Sequence, residues 1–127
     1  MPLEVNRPEV VADVTAVFER YETALVANDV DTLDELFWSS RDIVRFGLAD
    51  RQHGIAEVSA FRRSLERQTL PRELRNTVVT TIGTDLALVT TEFVPNGQAR
   101  LGRQSQTWLR IDGAWRVVTA HVSWSGQ

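Results

Sequence analysis

Apolar residues recur every three or four positions early in this chain and every second position later. Val10, Val14, Val17, Phe18, Tyr21 and Leu25 make one apolar stripe, with Glu19, Arg20 and Glu22 opposite. That spacing predicts a helix over 8–28, opened by Pro8, whose missing N–H is harmless in a first turn. Asn28-Asp29 ends it. A short second helix follows, with Asp31 as its N-cap and Leu33, Leu36 and Phe37 on its apolar side. The period then changes. Asp42–Phe46 reads as a short strand, Gly47 breaks it, and a second extended piece covers 50–53. Gly54 introduces a third helix over 55–67, buried through Ile55, Val58, Phe61 and Leu65. From Arg72 onward the pattern is strand only, at 73–82, 86–94, 99–111 and 115–124. The turns between these strands, Gly83-Thr84-Asp85, Pro95-Asn96-Gly97 and Asp112-Gly113, hold residues that tolerate positive φ.

Helices early and a long antiparallel meander late define an α+β fold. Three helices cannot cover both faces of such a sheet. One face should hold them, with room for a pocket, and the other should meet water or a second subunit. Strict alternation along the last strand puts Val118, Ala120, Val122 and Trp124 on one side and Trp115, Val117, Thr119 and His121 on the other. Both sets are apolar enough to favour a homodimer through the outer sheet face, with Val118, Ala120 and Val122 at the contact. Gln104, Gln106 and His121 are then expected on the concave side.

At 127 residues the chain is one domain with a real core. Its net charge of -3 and pI near 5.4 argue against general nucleic-acid or anionic-membrane binding. The absence of cysteine excludes disulfides and thiolate chemistry. The opening MPLEVNRPEVV has neither the basic nor the apolar region of a signal peptide, and no run reaches membrane-spanning length. A cytoplasmic location is expected. No nucleotide-binding loop, dinucleotide fingerprint or zinc-protease motif is present, and neither a cofactor nor a metal is expected.

The remaining chemistry lies in strand residues out of place on a plain sheet. His121 is read either as a general acid or base at a pocket mouth or as a histidine bonded to a carbonyl or Ser123. Arg45, between Val44 and Phe46, suits a carboxylate anchor or a salt bridge to Glu92. Gln104 and Gln106 share a face with Trp108, and their amides can read ureas, amides or carboxylates through paired donors and acceptors. Either Arg62 or Arg63 can lean toward the sheet. Trp38 and Glu92 complete a polar-aromatic set.

The segments ELFW at 35–38, VRFG at 44–47, FR at 61–62, GRQSQTW at 102–108 and GAWRVVTAHVS at 113–123 carry a family signal, as does RYETALVAND at 20–29. With the order of elements, they resemble the AtzH-like family. That family lies within the superfamily of nuclear transport factor 2, ketosteroid isomerase and the SnoaL-like cyclases. The resemblance implies a cone-shaped, cystatin-like α+β barrel with a conical pocket, and a homodimer. It also implies a setting in bacterial catabolism of ureido and amide compounds, beside an amidase partner. Arg45, Gln104, Gln106 and His121 fall on the matched motifs. The third helix departs from the pattern, with Leu65 where a further arginine is expected, and Asp50-Arg51 replaces an acid followed by an apolar or amide residue.

The expected function is a cofactor-independent hydrolase or decarboxylase acting on a small carboxylated amide or ureido compound. Arg45 would anchor the carboxylate, His121 would move a proton, and Trp38 and Trp108 would wall the pocket. Arg62, Glu92 and Ser123 would add ligand contacts. The alternative is a non-catalytic ligand-binding or accessory subunit of an amidase.

Overall fold

The computed structural model describes residues 2–65 and 71–126. Helix α1, Pro8–Ala27, buries Val10, Val14, Phe18, Tyr21 and Ala24. It stops at Asn28, which takes the left-handed conformation (φ 48°). Asparagine tolerates that geometry, and the turn redirects the chain at once into α2, Val30–Leu36. The N-cap of α2 is Asp29, not Asp31. The Asp29 carboxylate accepts from the Thr32 N–H at 3.3 Å and from its hydroxyl at 2.7 Å.

Strands β1 (Val44–Phe46) and β2 (Arg51–His53) form a tight hairpin, and α3 (Ile55–Ser64) follows Gly54. Leu65 is already extended, so the third helix is shorter than its apolar period implied. Residues 66 and 67 of the expected helix lie outside the described residues. The meander comprises β3 (Arg72–Ile82), β4 (Leu86–Pro95), β5 (Gly102–Ile111) and β6 (Ala114–Trp124). Each spans its predicted segment to within a residue or two, except that β5 starts only at Gly102.

One six-stranded sheet results, in the order β2-β1-β6-β5-β4-β3. All pairs are antiparallel except β1 with β6. The sheet curls around the helices as an α+β cone. Val14, Phe18 and Tyr21 from α1 and Leu33 and Leu36 from α2 pack on Val89, Trp108 and Val117 from the inner sheet face. At the far edge, the N-terminal segment straps β3. Val5 bridges Ile82, the Asn6 N–H donates to the Thr81 carbonyl at 3.0 Å, and the Gly83 N–H donates to the Glu4 carbonyl at 2.8 Å. An edge strand that would otherwise offer open backbone groups is thereby partly covered.

A bulge decides which side chains face inward. Thr107 pairs with Thr119, but Trp108 pairs with Val117, so Val118 is an extra residue in β6. The bulge falls where β6 changes neighbours, from the Phe37-Trp38 segment to β1. Its effect is to switch the phase of the strand. Trp115 and Val117 point inward before the bulge, and Ala120, Val122 and Trp124 after it. Thr119, His121 and Ser123 therefore face outward. Strict alternation assigned Thr119, Ala120, His121, Val122 and Trp124 the opposite way. His121 is not on the concave side, and Ala120 and Val122 are not on the outer face.

Candidate functional site

A cavity of about 340 Å³ opens between α1, α3, the β1–β2 hairpin and the wide end of the sheet. This is the size of a small-molecule pocket. Leu25, Phe61, Phe93, Val122 and Trp124 give it apolar walls, and Leu48 and Leu65 stand half-exposed beside them. Polar groups project from three sides.

The first comes from the hairpin. Arg45 shares the inner face with its cross-strand partners Gln52 and Ala120. Its guanidinium donates to Asp50 Oδ2 at 2.7 Å and to Gln52 Oε1 at 2.8 Å, and Gln52 Nε2 donates to the same Asp50 oxygen at 2.8 Å. The partner of Arg45 is thus Asp50, across the turn, and not Glu92. Gly47 makes the turn possible, since a Cβ there would occupy the space of the Asp50 carboxylate.

The second comes from the start of β3. Arg72 forms a two-pronged ion pair with Glu22 of α1. It also donates to Gln104 Oε1 at 3.0 Å, and its guanidinium lies 4.4 Å from the centre of the Phe93 ring. Gln104 is 2% exposed, and its Nε2 has no partner among the described residues.

The third is Arg62 of α3. It is 3% exposed, and neither NH1 nor NH2 has a hydrogen-bond partner among the described residues. The guanidinium rests 4.1 Å from the centre of the Phe37 ring. Burial is the main cause that lowers its pKa to about 10; the Arg45 charge acts in the same direction, while Tyr21 and Asp34 oppose it. Asn28 braces the backbone beneath it, with Nδ2 donating to the Arg62 carbonyl at 3.2 Å. Arg45 and Arg72 each have a carboxylate partner. Arg62 carries an uncompensated charge on the cavity wall.

Of the residues singled out from sequence, Arg45, Arg62 and Gln104 line this cavity. Gln106 and Trp108 lie deeper on the same sheet face. Trp108 Nε1 donates to Gln106 Oε1 at 3.1 Å, and the indole meets Tyr21 edge-on at 6.2 Å. Trp108 is the floor behind the cavity, not its wall. The remaining assignments are corrected by geometry. His121 is exposed on the outer face, edge-on to Phe46 at 5.6 Å. Ser123 is outward in the same phase. Glu92 is outward on β4, where it accepts from Asn76 at 2.8 Å and Arg103 at 3.1 Å, and these bonds lower its pKa. Trp38 continues the chain past α2 and packs against the core, bonded through its N–H to Val117 at 2.9 Å. Arg72, Asp50, Asn28 and Tyr21 are cavity residues that periodicity did not mark. Tyr21 was counted only as helix core, and nothing in a strand's first residue flagged Arg72.

A curved sheet closed by helices around such a cavity is the nuclear transport factor 2-like, cystatin-like fold. An NTF2-like protein of unknown function from Pseudomonas putida shows this fold at 21% identity, with a TM-score of 0.77 over 92% of this chain and 87% of that one. Two solved structures are far more similar. A protein of unknown function from Pectobacterium atrosepticum is 50% identical, with a TM-score of 0.92 over 96% of this chain and 95% of its own. A cystatin-like fold protein from Burkholderia xenovorans is 46% identical, with a TM-score of 0.90 over 97% of both chains. The chain belongs to the AtzH-like family, whose model matches residues 3–127. No curated protein matches it.

Proposed function

We propose that the cavity binds a small carboxylate-bearing amide or ureido compound, with Arg62 as the carboxylate anchor. The observation that carries this reading is the unpartnered, buried Arg62 guanidinium. A buried charge without a counterion is costly, and a planar anion that completes its hydrogen bonds removes that cost. Arg45 takes a supporting role, because Asp50 already neutralises it. Asp50 Oδ2 receives Arg45 and Gln52, while Oδ1 accepts no hydrogen bond among the described residues. That oxygen is the natural acceptor for a ligand N–H.

This arrangement favours ligand binding over hydrolysis or decarboxylation. His121, the proton-transfer candidate, lies on the other side of the sheet. Asp50, the carboxylate on the cavity wall, is already engaged by an arginine and a glutamine. Calorimetric titration with oxamate and N-carbamoylglycine tests the reading. Saturable binding to the wild type that Arg62→Met abolishes is expected. Binding that survives the substitution would overturn it.

A homodimer through the outer face is a second proposal. Two rows of residues cross that face, Thr80-Leu88-Thr107-Thr119-Val44 and Val78-Thr90-Ser105-His121-Phe46. Neither contains a carboxylate, lysine or arginine, and Val78, Leu88 and Phe46 are exposed. Such a surface fits a second copy of itself. Leu88→Asp should convert a dimer to a monomer in light-scattering chromatography. A wild-type monomer at tens of micromolar would end the proposal.

A further inference from the structure

The two inward glutamines are locked. A glutamine amide can present either its oxygen or its nitrogen to a neighbour, and the surrounding network decides which. Arg72 and Trp108 supply that decision here. A guanidinium and an indole N–H can only donate. Arg72 donates to Gln104 Oε1 at 3.0 Å, and Trp108 Nε1 donates to Gln106 Oε1 at 3.1 Å. Both oxygens are therefore engaged, and both Nε2 groups are left buried without partners among the described residues.

The consequence is that the part of the cavity wall formed by Arg62 and Gln104 is one-signed, unlike the hairpin side, where Asp50 Oδ1 can accept. The unpartnered buried groups on that part are Arg62 NH1, Arg62 NH2 and Gln104 Nε2. All three are donors. Sequence reasoning allowed each glutamine to read a ligand through donor and acceptor together, but the acceptor half of Gln104 is already taken.

We infer that the cavity selects acids whose carboxylate and nearest carbonyl share one acceptor-only edge, with Arg62 reading the carboxylate and Gln104 the carbonyl. An ammonium or N–H on that edge would face Gln104 Nε2 donor to donor and leave both unpaired, which disfavours free amino acids. Arg72 is the positioning residue, since its bond to Oε1 keeps the Gln104 nitrogen turned toward the ligand. The inference rests on the proposal that Arg62 anchors a carboxylate, and goes further by specifying the group beside it.

Three small acids test it by NMR titration of the intact protein. Acetate offers a carboxylate alone, pyruvate adds a neighbouring carbonyl, and alanine replaces that carbonyl with an ammonium. Pyruvate should bind the wild type about tenfold more tightly than acetate, the value of one buried hydrogen bond, and alanine more weakly than either. Gln104→Met keeps the side-chain length but removes the donor. It should bring pyruvate down to the level at which the same variant binds acetate. Equal binding of pyruvate and acetate by the wild type would overturn the inference without recourse to any variant. So would a pyruvate advantage that survives Gln104→Met. If acetate and pyruvate both depend on Arg62 while either of those results holds, only the donor edge has failed. If neither acid binds, or Arg62→Met leaves them bound, the carboxylate anchor itself has failed and the inference with it.

Discussion

Replacing Arg62 by methionine should make the ligand-free protein more stable. Most substitutions of a residue this buried destabilise, so the sign is informative. The shift of the guanidinium pKa to about 10 corresponds to about 3 kcal/mol against its charged form, at about 1.4 kcal/mol for each tenfold change in acidity. Against this stands the contact of the cation with the Phe37 ring at 4.1 Å, worth about 2 kcal/mol in a desolvated setting. Methionine has a similar stem and can place its sulfur near the same ring. The bond from Asn28 survives, because it ends on the Arg62 backbone carbonyl. The balance favours the variant by about 1 kcal/mol, a rise in Tm of about 4 °C for a domain of this size. The pH dependence has a definite sign. The folded pKa lies below the unfolded one, so the charge destabilises in full at neutral pH and the penalty is relieved only as pH rises past about 10. The advantage of the variant should therefore be constant between about pH 6 and pH 9. Differential scanning calorimetry of both proteins, without added anions, measures it. A fall in Tm of several degrees would mean that Arg62 holds the fold together, and would refute its reading as an uncompensated charge.

Gly102→Ala should destabilise by about 1–3 kcal/mol and weaken ligand binding together, because a Cβ at that position would lie within the Phe93 ring and push it toward Arg72; urea melts and titration of the same sample check both. Trp108→Phe should cost about 2–4 kcal/mol, the sum of lost volume and a buried Gln106 oxygen left without its donor. The double variant Trp108→Phe/Gln106→Leu should recover part of that loss, and a strictly additive cycle would argue against the bond. Asp29→Ala should cost about 1 kcal/mol through the lost cap of α2, read from a chemical melt with an unchanged m-value.

What the chain discloses by its pattern depends on how local the cause is. Helix α1 and the four meander strands were legible because apolar period and turn chemistry are local properties. Arg45 and Gln104 were legible as inward groups because their strands alternate without interruption near them. His121 was misplaced because its orientation depends on Val118, and no feature of WRVVTAHVS marks that residue as extra. The bulge reflects the tertiary event of β6 exchanging one neighbour for another. Glu92 was misassigned for a related reason. Its role as a partner for Asn76 and Arg103 requires the register of three strands, which periodicity does not supply. Arg72 gave no signal, and Asp50 stood out only as part of a departure from the family pattern, because each gains its significance from a side chain distant along the chain or across a turn.

The bulge at Val118 has a consequence for how this cone can change. Deleting that one residue would set Val117 beside Thr119 and restore simple alternation without turning any side chain over, so that Ala120, Val122 and Trp124 stay toward the ligand and His121 and Ser123 outside. Ironing the bulge out with Val118 kept in the ladder, a one-residue slip of the rest of the strand, would instead exchange the whole chemical character of that wall, replacing an apolar panel with a titratable and a hydroxyl group. An alignment with a bulge-free strand that omits the gap at this point would exchange the inner and outer labels of every residue that follows.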